Sequence, residues 1–164
     1  MASTYYEKLS VEDKKRYDEK LTLANGTKLE DPFTLESGWT DDITKLPNVA
    51  WEGITKYLVE SPSTFTNESR KLDIMTCFLQ VLPSQRQGKS AKLYDVWVAI
   101  NNQHGWILTA NCTCMAGLGS ACSHIAALLF KLEAATHYKL NEEVSCTSQL
   151  CSWKASKDKS TQHP

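Results

Sequence analysis

The chain has 164 residues, 41% of them hydrophobic and 23% charged, with a formal net charge of -1. That composition belongs to a folded chain with room for one ordinary domain, or one small domain with arms. The balanced charge excludes a strongly basic protein that coats nucleic acid by charge alone. The imbalance along the chain, 8 Lys/Arg against 12 Asp/Glu in residues 1–60 and 10 against 7 in residues 61–164, is of the size that solvated faces account for.

The opening stretch, MASTYYEKLSVEDKKRYDEK, is charged throughout and has no apolar segment of the secretory kind. No run approaches the ~18 apolar residues of a membrane span. An intracellular chain with reduced thiols is therefore expected, and no membrane partner. Residues 4–24 read as one helix. Ser10 and Asp13 form a capping signal, and the sparse apolar positions Val11, Tyr17 and Leu21 suggest a peripheral helix or arm over residues 1–30. Asn25, Gly26 and Pro32 break it.

Residues 31–72 are the least legible part. Trp39 and Trp51 suggest packing, and NVAWEGITKYLVE predicts a short helix with Trp51, Ile54 and Leu58 at near-helical spacing. Residues 73–136 form the expected domain proper. DIMTCFLQVL, ending at Pro83, is a continuous apolar run that predicts a buried strand, with Cys77 as a free core thiol. A polar loop follows, holding Arg86, Lys89 and Lys92. LYDVWVAI alternates, with Val96, Val98 and Ile100 on one face; NNQHG is turn chemistry, with His104 as a turn residue; WILTA is the returning strand. This hairpin delivers the chain to Cys112. Beyond the cysteines, Ile125, Leu128, Leu129 and Leu132 recur on one face of a helix. Residues 137–164 are a polar tail, in which Cys146 and Cys151 lack the further ligands of a second metal site, His137 being the one nearby candidate. Trp153 is expected to dock the tail.

The chemistry concentrates at NCTCMAGLGSACSH. Cys112, Cys114, Cys122 and His124 form a C-x-C-x7-C-x-H pattern, three thiolates and an imidazole, which is a full tetrahedral set for one structural Zn2+. Residues i and i+2 on a strand point the same way, so Cys112 and Cys114 can face one ion where the strand ends. The same spacing inside a helix would diverge. Cys122 is therefore placed just before the helix and His124 in its first turn. Gly117 and Gly119 are expected to supply positive φ for the fold-back between the two ligand pairs. A disulfide within C-x-C is strained and needs an oxidising compartment. A redox pair would be C-x-x-C. A catalytic Cys–His pair would not need three thiols, and a chance grouping of core residues is the bland alternative.

Strand, strand, C-x-C-x(n)-C-x-H and helix resembles the SWIM zinc finger, and CTCMAGLGSACSHIAALLFKLEAA resembles a subgroup of it found in animal proteins. Many of these carry a YqaJ-type, lambda-exonuclease-like nuclease domain downstream. VLPSQR and TSQLCSW also resemble that subgroup. The resemblance spans roughly residues 73–153. It implies a small α+β domain, about three antiparallel strands and one C-terminal helix pinned by zinc. The implied function is DNA or protein binding in a transposon- or recombinase-related protein, nuclear rather than cytoplasmic, with no small-molecule substrate. A protein-interaction adaptor with no nucleic-acid role, or a nuclease fragment whose catalytic domain is missing after Pro164, are the alternatives. No enzyme is expected from the chain itself. Its only E-x-K triplet is Glu12-Asp13-Lys14, and no carboxylate cluster for Mg2+ accompanies it. Phosphate contact, if any, is expected from Arg86, Lys89 and Lys92 and from Lys154, Lys157 and Lys159 of the tail.

Overall fold

The computed structural model describes residues 3–35, 42–60, 73–83 and 92–140. Trp39, Arg86, Lys89, Cys146, Cys151, Trp153, Lys154, Lys157 and Lys159 lie outside the described residues. The architecture is α+β. Three strands, β1 (Ile74–Val81), β2 (Tyr94–Asn101) and β3 (Ile107–Cys112), form an antiparallel sheet in the order β1-β2-β3. Helices α1 (Thr4–Glu7), α2 (Val11–Lys20), α3 (Trp51–Glu60) and α4 (Ser123–Leu140) pack around it. Among the described residues, no helix is long and apolar enough to cross a membrane.

The hairpin follows from its turn. Asn101 Oδ1 accepts from the backbone N–H groups of Gln103 and His104 at 2.9 and 3.0 Å, and Gly105 adopts φ +70°. A Cβ at Gly105 would meet the Asn48 carbonyl oxygen at 1.8 Å, so glycine also lets the turn press against the segment leading into α3. β2 and β3 pair from Val96↔Cys112 to Ala99↔Thr109, and a register shift then brings Ile107 opposite Ile100. That irregularity resets the alternation, so Ile107 joins Ala110 and Cys112 on one face and Leu108 falls on the other.

The strand predicted as buried is an edge strand. β1 is half-buried, with Phe78 exposed within it and Leu82 exposed just past its end, because it pairs on one side only. The alternating strand β2 is covered on both faces. Val96, Val98 and Ile100 meet α3 and α4, whereas Trp97 and Ala99 meet the N-terminal segment. The expected helix 4–24 is two helices. Ser3 caps α1 by accepting from the Tyr6 N–H, and Ser10 caps α2 by accepting from the Asp13 N–H. The N-terminal segment is not peripheral packing, since Tyr17, Leu21 and Leu23 are buried on the sheet. In α3 the buried positions are Gly53, Ile54 and Tyr57. Trp51, expected to pack inward, is 62% exposed. The predicted apolar face of α4 (Ile125, Leu128, Leu129 and Leu132) is wholly buried against β2, β3 and α3.

Candidate metal centre

β3 ends at Cys112, and the ladder runs one step further: the Thr113 N–H donates to the Asp95 carbonyl and the Asp95 N–H to Thr113 Oγ1, both at 3.0 Å. The chain then turns, with the Gly117 N–H donating to the Cys114 carbonyl at 3.0 Å. It folds back over its own strand and enters α4 at Ser123. Cys122 is thereby the residue before the helix, and its sulfur accepts from the Ile125 N–H at 3.4 Å, the bond of an N-cap. His124 follows in the first turn.

The structure brings Cys112, Cys114, Cys122 and His124 together, with one ligand atom from each lying within 4.8 Å of all the others. His124 presents Nδ1, 3.8 Å from Cys112 Sγ and 3.9 Å from Cys122 Sγ. A tetrahedral zinc shell has sulfur–nitrogen and sulfur–sulfur edges of about 3.5–3.8 Å. The donor set and its spacing therefore fit a metal ion. The Tyr94 ring lies against the imidazole, centroids 4.7 Å apart, and His124 Nε2 is buried without a hydrogen-bond partner.

Cys122 is held below the ordinary thiol range, at about 5, first by the hydrogen bond from Cys112, then by the N–H groups at the start of α4. Cys112 is pushed up, first as the partner in that same bond and then by burial, and Cys114 is pushed up by burial. A divalent cation held by the cluster would supply the charge that lets the sulfurs ionise together.

Gly117 matters here for a different reason from the one expected. Neither Gly117 nor Gly119 has positive φ; the left-handed residue of the spacer is Ser120, at φ 67°. A Cβ on Gly117 would meet the Cys112 carbonyl oxygen at 1.6 Å, whereas one at Gly119 would meet nothing within 4 Å. The fold-back is therefore limited by close approach to β3 rather than by backbone sign.

Two residues that sequence reasoning missed surround the spacer. Lys20, the last residue of α2, donates from Nζ to the Ala110 carbonyl (2.8 Å), the Gly117 carbonyl (3.2 Å) and Ser120 Oγ (2.8 Å). Burial lowers its pKa to about 8, while the negative charge of Cys122 and Cys112 acts in the opposite sense. From the other side Tyr57 brings its buried hydroxyl beside Ser120 and Ala110 without completing a hydrogen bond; burial pushes its pKa up. A terminal lysine on a charged helix carries no local signal of such a position.

The remaining candidates lie apart. Lys92 is exposed two residues before β2, His137 is exposed on α4, and His104 stacks on Trp106 in the hairpin turn with centroids 4.6 Å apart. Cys77 is a free thiol on β1 whose pKa burial pushes up to about 11. No family model, no curated protein and no solved structure matches the chain. The fold and the cluster define an α+β domain with four residues able to hold a metal ion.

Proposed function

We propose that the chain is a zinc-binding module of the SWIM type, with one structural Zn2+ held by Cys112, Cys114, Cys122 and His124, and that it works by binding rather than by catalysis. The observation that carries this reading is the convergence of the four ligand atoms within 4.8 Å, at the junction of a hairpin and a helix. With four protein ligands, zinc is a crosslink between the end of β3 and the start of α4 and keeps no position open for a reactive water. The module acts in a transposon- or recombinase-related protein inside the cell, where its partner is DNA contacted through phosphates. The sequence resemblance supports that choice, as does the exposure of Lys92. A protein partner is the second reading. It is favoured by Trp51, exposed beside Phe130 with ring centroids 5.3 Å apart on the outer side of α3 and α4.

Metal analysis of purified protein should find one zinc per chain, and Cys114→Ala should lose it. Chelation should melt the region from β2 to α4, because metal binding and folding are coupled. Protein that is folded and carries no zinc would refute the metal reading. For the partner, DNA affinity should fall steeply with salt and weaken alike on all sequences in an Arg86→Glu, Lys89→Glu variant. Salt-insensitive binding, or none, shifts the assignment to a protein partner.

A further inference from the structure

Helix α2 ends in a side chain that reaches the end of β3 and the spacer between the two ligand pairs. Lys20 Nζ has three protons, and each finds an oxygen: Ala110 O, Gly117 O and Ser120 Oγ. Two of these acceptors belong to the spacer between the ligand pairs, and the third lies two residues before Cys112. All three are neutral. None of the ion pairs among the described residues includes Lys20. A cation withdrawn from water without a carboxylate is costly unless some other negative charge faces it.

The metal knuckle is that charge. Three thiolates and a neutral imidazole around Zn2+ leave a net charge of about -1 on the cluster. Two of the acceptors, Ala110 O and Ser120 Oγ, each stand two residues before a ligand sulfur, Cys112 and Cys122, and negative charge on those sulfurs favours the ammonium. The ammonium also ties the end of β3 to the fold-back, holding Cys112 and Cys122 at their approach. We propose that Lys20 is a positioning residue for the metal, the counter-charge of the zinc–thiolate cluster, and that it makes the N-terminal segment part of the metal site. The assignment rests on the zinc reading above.

The test compares wild type with Lys20→Met, Lys20→Gln and Lys20→Arg. Each zinc dissociation constant is measured by chelator competition on the full chain, and Co2+ absorption reports the ligand set. Partners outside the ligand shell typically change metal affinity by about 10–100-fold when removed. Lys20→Met and Lys20→Gln should both weaken zinc binding within that range, Lys20→Arg should restore most of it, and the Co2+ spectrum should keep its sulfur–nitrogen signature throughout. Gln retains donors without charge, so wild-type affinity in Lys20→Gln would reduce Lys20 to a hydrogen-bonding clamp and overturn the assignment. So would affinities within about twofold of wild type in both neutral variants, well below that range. Should Lys20→Met fail to fold, the Gln and Arg pair still decides. A wild-type chain that takes up no zinc overturns the metal reading itself, a result distinct from any of these.

Discussion

The two faces of the sheet are built on different principles. The face toward α3 and α4 is aliphatic: Val96, Val98, Ile100 and Ala110 meet Ile54, Ile125 and Leu129. At its end, where the sheet runs out of apolar side chains, stands the cysteine–histidine cluster. The face toward the N-terminal segment is aromatic and polar. Tyr17 packs edge-on to Trp97 at 6.3 Å and near Tyr5 and Phe33, and its hydroxyl donates to Asp31 at 2.7 Å. Asp31 also accepts from Ser3 Oγ at 2.6 Å and the Phe33 N–H at 3.0 Å. Trp97 Nε1 and the Asn111 amide are buried on this side beside the Tyr17 and Tyr5 hydroxyls without completing a hydrogen bond. One face gains its order from aliphatic packing and ends in a cluster able to hold a metal ion, the other from a hydrogen-bonded carboxylate at the centre of an aromatic cluster. Lys20 spans the two.

The sharpest way to break this division is Gly117→Ala. The new Cβ would overlap the Cys112 carbonyl, and backbone cannot give way as a flexible side chain would. We expect a loss of about 3 kcal/mol or more, together with loss of zinc, read by denaturant unfolding and metal analysis of the same sample. A stable, zinc-loaded Gly117→Ala protein would show that the fold-back is looser than described.

Tyr17→Phe probes the other face. It removes a hydrogen bond to a carboxylate and leaves Asp31 Oδ1 with the Phe33 N–H alone, so the cost should be about 2 kcal/mol. Zinc stoichiometry should not change. A drop in zinc content in this variant would mean that the two faces are not separable, beyond the link that Lys20 supplies.

The smallest effect concerns Cys77 and appears only in alkali. Its thiol is raised from the ordinary 9.0 to about 11 by burial. Between those values the unfolded chain has released the proton while the folded chain retains it. The unfolded state then binds fewer protons, and stability falls as pH rises through the window. The fall should reach about 1–2 kcal/mol at the upper end and vanish at neutral pH. Cys77→Val should remove that part of the alkaline slope in unfolding curves. An unchanged slope would place Cys77 nearer solvent than the sheet position indicates.

What the sequence by itself determined is local. The C-x-C and C-x-H pairs are two residues apart, the apolar face of α4 repeats within eight residues, and the hairpin is announced by its turn. Each signal lies within a few residues of chain, where strand alternation and helix pitch fix geometry. That is why the ligand set, β2, β3 and α4 were legible, and why Cys122 falls where expected at the start of the helix. Only the tertiary structure decided the rest. Continuous apolar character in β1 does not distinguish a central strand from an edge strand, because pairing on the far side is set by the order of strands. Trp51 and Tyr57 share a helix, and which one turns inward depends on what β3 and α4 present to it. Lys20 lies 90, 97 and 100 residues from its three acceptors. No periodicity in a charged helix marks that ending, because the two carbonyls and the hydroxyl that receive the lysine come together only after the chain has folded.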